Sequence, residues 1–289
     1  MQKFVFIIFK FTPRRLLEWL SGSKFLYSIL KPAFDLLTKN DQLKTYQIYD
    51  DILIELDISE AGERAVCFNL YEPAITRYFR KIAKEGGIVF DVGAWIGYYT
   101  VLAARTADKV IAIEVDAMNC QRIRRNVSLN GFSNVDIINC AIGDKFSDGI
   151  LLRRKRSYLN KVSPNGEGET ITIESLDNQI GKLRTDNVNL IIIDIEGYEY
   201  FALKGLQTSL SAGIVKNLIC EVHPNMLKEK GCLDTDVLDL LSKYKYKIMF
   251  DSKVSNFQPY HIYAKYSGEE EQRDNSTNKN SKVVDAQIR

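Results

Sequence analysis

Four residues able to accept or donate a proton stand at the ends of two apolar segments in the second half of the chain. Asp194 and Glu196 follow the first segment, and Glu221 and His223 end the second. We predict two adjacent parallel strands, whose carboxyl ends form the ligand crevice of an open α/β sheet. An imidazole suits general base catalysis because its ordinary pKa is about 6.5. We therefore assign catalytic roles to His223, Asp194, Glu196 and Glu221.

The segment FDVGAWIGYYT at 90–100 indicates a buried strand, a tight turn and a helix. A dinucleotide fingerprint would require glycine in place of Trp95, because a pyrophosphate approaches the backbone there. The spacing of Asp91, Gly93 and Gly97 suits S-adenosylmethionine instead, since this cofactor has no phosphate. Its amino and carboxylate groups can be bound by a carboxylate and by loop amides. A dinucleotide site and a purely structural turn are the alternatives.

Two further acids follow the next two predicted strands. Glu114 lies near the end of the apolar run at 110–115, where a carboxylate can accept hydrogen bonds from ribose hydroxyls. Asp144 follows the run at 135–140, where an adenine would sit, and is a candidate partner of its exocyclic amine. A turn aspartate is the alternative for Asp144. The residues assigned to cofactor binding are Asp91, Gly93, Gly97, Glu114 and Asp144.

The order of apolar segments and amphipathic helices predicts an α/β fold, with one domain over residues 46–266. We expect a mainly parallel seven-stranded sheet with a C-terminal antiparallel strand and helices on both faces. His261 lies in the last predicted strand, and we assign it a structural role. Residues 145–187 are longer than a plain connection and predict a β-hairpin insertion. The basic run at 153–156 is interpreted as a solvated face, with an anion or substrate clamp as the alternative.

Two segments flank this domain. Residues 1–45 form an N-terminal extension, in which two short amphipathic helices rich in aromatic and basic side chains are predicted. A helical cap packed on the domain is one interpretation, and peripheral contact with a membrane is the other. The polar tail at 267–289 contains no aromatic residue and is expected to be disordered.

The composition favours a cytoplasmic protein that does not bind nucleic acid. The five cysteines among the 289 residues form no Cys-x-x-Cys pair, which is typical of proteins in a reducing compartment. The formal net charge of +2 gives no basic signature of nucleic-acid binding. No apolar run approaches the ~20 residues that a membrane-spanning helix needs.

Several segments together resemble the FkbM-type methyltransferases, a branch of the class I S-adenosylmethionine-dependent enzymes. They are FDVGAWIGYYT (90–100), AIEVD (112–116), the Asn126 and Asn130-Gly131 segment, AIGD (141–144), ITIESLD (171–177), IIIDIEGYEYFALKGL (191–206) and EVHP (221–224). Two positions depart from the family's pattern: Trp95 replaces the usual Asn, and Ile192 replaces the usual Lys.

The resemblance implies a Rossmann-like class I methyltransferase fold and S-adenosyl-L-methionine as the cofactor. It also implies methyl transfer to a hydroxyl, commonly of a sugar, a glycan or another secondary metabolite. The alternatives are transfer to another acceptor (N-methylation or a lipid) and a catalytically weak fold that serves as a binding module. The Asp-Ile-Glu-Gly motif at 194–197 argues against a nucleic-acid methyltransferase, which typically carries a motif suited to a flipped base. Mg²⁺ or Mn²⁺ could be held by the same acids and imidazole, but we expect none and assign no metal ligand.

Overall fold

The computed structural model describes residues 43–152, 161–163, 168–255 and 258–268. The basic run at 153–156, nearly all of the N-terminal extension and nearly all of the polar tail lie outside these residues. The division into segments 1–45, 46–266 and 267–289 therefore stays a prediction. Within the described residues, the structure contains no helix with the length and hydropathy needed to cross a membrane.

The described secondary structure alternates strands with helices through most of the domain. The strands are β1 (Lys44–Gln47), β2 (Leu53–Leu56), β3 (Ile88–Val92), β4 (Lys109–Ile113), β5 (Val135–Ile138), β6 (Ala141–Ile142), β7 (Ser147–Leu152), β8 (Lys161–Ser163), β9 (Glu169–Glu174), β10 (Val188–Ile193), β11 (Val215–Val222), β12 (Tyr246–Asp251) and β13 (Tyr260–Tyr266). The α-helices are α1 (Ala61–Cys67), α2 (Pro73–Ala83), α3 (Tyr98–Ala104), α4 (Ala117–Leu129), α5 (Leu176–Leu183), α6 (Glu199–Lys204), α7 (Gln207–Ser211), α8 (Pro224–Glu229) and α9 (Asp234–Lys243).

The central sheet has seven strands in the order β12-β13-β11-β10-β3-β4-β5. Strand β13 is antiparallel to both of its neighbours, and the remaining pairs are parallel. The predicted α/β fold, mainly parallel with a C-terminal antiparallel strand, is therefore confirmed. The chain moves outward from β3 to β5 and then returns to β10 on the other side of β3. This reversal opens a crevice at the carboxyl ends of β3 and β10, where ligands bind in such sheets.

Helices cover both faces of the sheet because successive strand residues point to opposite sides. In β3, Val89 belongs to the core that contains Phe79 of α2. Phe90 and Val92 belong to the core on the other face, together with Leu203 of α6. The side chain of Asp91 therefore points to the face of the sheet that α2 and α3 cover.

The predicted insertion at 145–187 supplies β7, β8 and β9 of a second sheet, and β6 lies before it. The strand order is β6-β9-β7-β8, and β7 pairs antiparallel with both β8 and β9. The sequence pattern predicts one helix over about 198–210, whereas the structure divides this segment into α6 and α7 at Gly205. A Cβ at Gly205 would lie 2.2 Å from the carbonyl oxygen of Gly143, so the glycine allows the helix end to pack on this loop. Asp177 then caps α7, accepting hydrogen bonds from the backbone N–H groups of Thr208 and Ser209.

Candidate active site

A cleft opens at the carboxyl ends of β3, β4 and β10, at the point where the chain reverses direction in the sheet. Gly93 and Glu114 line one part of it, and Asp194 and Glu196 line another. The sequence placed all four after strand ends, and the parallel pairing of β10 with β3 and of β3 with β4 brings those ends together. The structure thus brings two residues predicted to bind the cofactor, Gly93 and Glu114, to the same cleft as two residues predicted to be catalytic, Asp194 and Glu196.

Gly93 makes the close approach between the first turn and β10. Its φ is +85°, and a Cβ there would lie 1.8 Å from the backbone oxygen of Asp194. Only glycine fits such a contact in a left-handed conformation.

The turn continues through Trp95 with φ +50°. The Trp95 indole packs on α1, where a Cβ on Gly62 would lie 3.1 Å from the ring. The ring centroids of Trp95 and Tyr71 are 5.9 Å apart. Trp95 and Tyr71 therefore form one wall of the cleft.

Glu114 is tied to the turn by two backbone hydrogen bonds. The N–H of Trp95 donates to Oε2 and the N–H of Asp116 donates to Oε1, each at 2.8 Å. The residue is 6% exposed, and burial raises the pKa of its carboxyl to about 7 although these hydrogen bonds lower it. Each carboxylate oxygen has a second lone pair, so Glu114 can accept further hydrogen bonds from a ligand in the cleft.

The three other predicted cofactor residues lie apart from the described lining of the cleft. Asp91 is buried beneath α3, where the Thr100 hydroxyl donates to Oδ2 at 2.5 Å, and burial raises the pKa of the Asp91 carboxyl to about 6. Asp91 pairs in register with Ile192 of β10. The Lys that the resemblance leads one to expect at position 192 is therefore absent beside this carboxyl. Gly97, with φ +85°, begins α3 where a Cβ would lie 3.2 Å from Ile123. These residues shape the turn and its helix.

Asp144 is exposed at the surface. Its carboxylate lies 3.9 Å from Lys204 Nζ. The side of the cleft where an adenine was expected is lined by Cys140, Ala141 and Ile142 instead. Asp144 is thus absent from the described lining of the cleft, and its role at the adenine stays a prediction.

His223 is held between acids at the end of β11. Its Nδ1 donates to Glu199 Oε1 at 2.9 Å, and the same oxygen accepts the N–H of Gly197 at 2.8 Å. Its Nε2 faces Glu196 Oε2 at 3.6 Å and Glu221 Oε1 at 4.0 Å. Burial alone would lower the pKa of this imidazole, but the hydrogen bond to Glu199 and the surrounding acidic charges outweigh burial and raise it to about 10. The ordinary pKa expected from the sequence is therefore not what the fold produces.

Burial raises the pKa of the Asp194 and Glu221 carboxyls in this cluster above their usual range. The charges of Asp194 and Glu72 raise the pKa of Glu221 further. Asp194 Oδ1 is buried and has no hydrogen-bond partner in the part of the chain that the structure describes. A carboxylate oxygen has two lone pairs, so Oδ1 can accept a hydrogen bond from a ligand in the cleft.

Sequence reasoning assigned no role to Glu199 or Glu72, and assigned only a structural role to His261. The structure places His261 Nε2 3.2 Å from Glu72 Oε2 and 3.7 Å from Glu221 Oε2. The Tyr99 hydroxyl also donates to Glu72 Oε2, at 2.7 Å. The antiparallel register pairs Glu221 directly with His261, so a correct register for the last strand would have found this contact. Glu199 lies in the same short run as Asp194 and Glu196.

Comparison with known proteins gives short matches to curated relatives. An uncharacterized protein of Methanocaldococcus jannaschii is 38% identical over 58 residues, which cover 20% of this chain and 22% of the relative. The ribosomal protein L11 methyltransferase of Caldanaerobacter subterraneus subsp. tengcongensis is 40% identical over 62 residues, which cover 21% of this chain and 20% of the relative. The chain thus spans about a fifth of the length of these relatives.

A solved structure of Trm5b from Pyrococcus abyssi aligns with a TM-score of 0.45 at 17% identity, covering 78% of this chain and 55% of that one. The sequence profile of the methyltransferase FkbM domain matches residues 91–248, which is more than half of the chain. This range contains the glycine turn, Glu114, and His223 with the acids Glu196, Glu199 and Glu221, but not Glu72 or His261. The resemblance seen in the sequence is confirmed, and the chain belongs to the FkbM methyltransferase domain family.

Proposed function

We propose that the protein is an S-adenosylmethionine-dependent O-methyltransferase that methylates a hydroxyl of a sugar, a glycan or another secondary metabolite. The observation that carries this proposal is the composition of the cleft. A glycine turn and a buried carboxylate, Gly93 and Glu114, share it with the orphaned Oδ1 of Asp194. One side is therefore suited to a nucleoside cofactor, and the other to a group that donates a hydrogen bond.

The cofactor fits the side of the cleft formed by β3 and β4. Ribose hydroxyls would donate to Glu114, which follows β4 directly. The adenine would occupy the apolar side formed by Cys140, Ala141 and Ile142. The methionine end would reach the turn at Gly93, beside the backbone of Asp194. Asp91 and Gly97 support this site by fixing the turn.

Asp194 is the residue placed to receive the proton of the acceptor hydroxyl. A methyl group moves in line from the sulfonium to the acceptor oxygen, so the new carbon–oxygen bond forms as the sulfur–carbon bond breaks. The hydroxyl proton must leave to a base within about 3 Å, and Oδ1 of Asp194 offers an open acceptor position. The products are the methyl ether, S-adenosylhomocysteine and a protonated Asp194. Glu196, Glu221 and His223 orient the acceptor and Asp194.

The charge of the cleft supports a neutral acceptor. Its described lining contains Glu114, Asp194 and Glu196 but no Lys or Arg side chain. A phosphorylated substrate or a nucleic acid would bring its negative charge against these acids, and no Lys or Arg side chain of the described lining would compensate it. Neutral hydroxylated compounds meet no such cost.

The test is release of S-adenosylhomocysteine by the full chain, with neutral sugars and their phosphorylated counterparts as acceptors. We expect turnover with a neutral acceptor. Asp194→Asn should lower kcat by roughly 10²–10⁴ and change cofactor affinity little. The matched control is Asp186→Asn, which removes an exposed carboxylate outside the cleft. Binding of the cofactor without turnover on any acceptor would favour a binding module, and a normal rate in Asp194→Asn would exclude Asp194 as the base.

A further inference from the structure

Three side chains at the carboxyl ends of β10 and β11 have the spacing of metal ligands. One ligand atom each from Asp194, Glu196 and His223 lies within 4.8 Å of the other two. Two ligands of one cation bound at about 2.1 Å lie up to about 4.2 Å apart, so small side-chain rotations close the set. From this arrangement we propose that Asp194, Glu196 and His223 bind a divalent cation of the Mn²⁺ class.

The orientation of His223 is the first support. Metal-binding imidazoles characteristically donate one ring N–H to a carboxylate, which fixes the ring and directs the other nitrogen at the metal. Here Nδ1 donates to the fully buried Glu199 at 2.9 Å. The other nitrogen, Nε2, belongs to a side chain only 6% exposed and faces Glu196 Oε2 at 3.6 Å. That separation is too long for a good hydrogen bond but within the span of two ligands on one cation.

The second support is the orphaned oxygen of Asp194. Oδ1 is buried, yet among the described residues nothing donates a hydrogen bond to it. A buried carboxylate oxygen without a donor is costly unless a cation or a ligand compensates it. The orphaned atom and the directed imidazole are independent features of two different strand ends.

The donor set defines the class of cation. One imidazole nitrogen and two carboxylates, without a thiolate, suit a first-row divalent ion better than a soft metal. A second group with similar spacing, formed by Glu72, Glu221 and His261, is the weaker candidate. There Glu72 Oε2 already accepts the Tyr99 hydroxyl at 2.7 Å and lies 3.2 Å from His261.

The experiment uses the full chain, freed of metal with a chelator and titrated with Mn²⁺ in the absence of S-adenosylmethionine. Electron paramagnetic resonance should report one bound Mn²⁺ per chain, and its electron spin-echo modulation should show coupling to an imidazole nitrogen. Displacement of Mn²⁺ by Zn²⁺ or Mg²⁺ would support the same site. Failure of all three ions to bind would overturn the proposal.

Variants assign the ligands. His223→Ala should abolish the nitrogen coupling, whereas His261→Ala, the matched control, should retain both the coupling and the bound ion. Glu199→Gln should weaken binding 10- to 100-fold, roughly as for other partners of metal-bound histidines. Glu196→Gln keeps the size of a side chain that is 26% exposed, and thermal unfolding checks that it folds. The ligand assignment is wrong if Glu196→Gln binds Mn²⁺ normally. It is also wrong if His261→Ala loses the nitrogen coupling while His223→Ala keeps it.

This proposal shares Asp194 with the proposed function, because the carboxylate that would bind the ion is also the proposed base. The two are tested separately, since ion binding is measured without the cofactor and without an acceptor. Methyl transfer that continues in a chelator would make the ion unnecessary for the reaction and leave the site intact. Conversely, an active methyltransferase that binds no divalent ion would overturn the metal-site proposal and leave the proposed function standing.

Discussion

Replacing Glu114 with Gln removes one negative charge from the cleft while keeping the size of the side chain. The carboxylate accepts the backbone N–H groups of Trp95 and Asp116 on its two oxygens. In Glu114→Gln the amide nitrogen must face one of these donors, and one buried N–H loses its partner. We expect this to lower the free energy of unfolding by about 1–3 kcal/mol.

The larger effect is expected on cofactor affinity. Ribose hydroxyls that donate to a carboxylate form charge-assisted hydrogen bonds, and losing them costs about 1.5–3 kcal/mol. The Kd of S-adenosylmethionine should therefore increase about 10- to 150-fold. Asp136→Asn is the matched control, since it removes a surface carboxylate on β5 that pairs with Lys109 at 2.7 Å. It should leave the affinity unchanged.

The pH dependence follows from the raised pKa of Glu114. Its carboxyl has an ordinary pKa of 4.5 and a pKa of about 7 in the folded protein, chiefly because of burial. The folded state retains the proton between these values, so this contribution to stability is complete below pH 4.5 and is lost as the pH rises through about 7. The affinity for the cofactor depends on pH in the opposite direction. It should increase as the pH rises, because the ribose hydroxyls donate to the ionised carboxylate.

Calorimetric titration with S-adenosylmethionine checks both expectations. Between about pH 6 and about pH 8 the wild-type affinity should rise about 10-fold, and this dependence should be absent in Glu114→Gln. Near-ultraviolet circular dichroism establishes that the variant is folded. A folded Glu114→Gln with wild-type affinity at every pH would remove Glu114 from the cofactor site.

Two further substitutions test the geometry of the cleft. Gly93→Ala should lower the free energy of unfolding in urea by about 3 kcal/mol or more, because its Cβ would lie 1.8 Å from the Asp194 oxygen. Gly131→Ala, also at positive φ but with no atom within 4 Å, should cost only about 1–2 kcal/mol, and equal losses would contradict the close contact. Asp144→Asn should leave calorimetric cofactor affinity unchanged because this carboxylate is exposed beside Lys204, and a large loss would return Asp144 to the adenine site.

Most of the fold was predictable from local patterns. The apolar segment before Asp194 became β10, and the strand, turn and helix predicted at 90–100 became the end of β3, the turn at Gly93 and the start of α3. Helices α1 and α8 were not predicted, since they have seven and six residues and are too short to show a clear period. The break between α6 and α7 was missed because it depends on the contact of Gly205 with Gly143, which lies in a distant part of the sequence.

A site residue was predictable where its position relative to the end of its own strand determines whether it reaches the cleft. Glu114 and Asp194 follow strand ends, and parallel pairing brings such ends to one edge of the sheet. Asp91 was different because it lies inside β3. Strand alternation directs its side chain beneath α3, where Thr100 hydrogen-bonds it, rather than into the cleft.

The sequence by itself determined the order of strands and helices, the glycine turn and the acids at the strand ends, because these depend on periodicity and steric rules over a few residues. The tertiary structure alone decided which ionisable groups meet. Strand register sets Glu221 opposite His261, and Glu199, buried beside His223, raises the pKa of that imidazole. Contacts of this kind join distant segments, and the charge of a buried group depends on all of its neighbours in space.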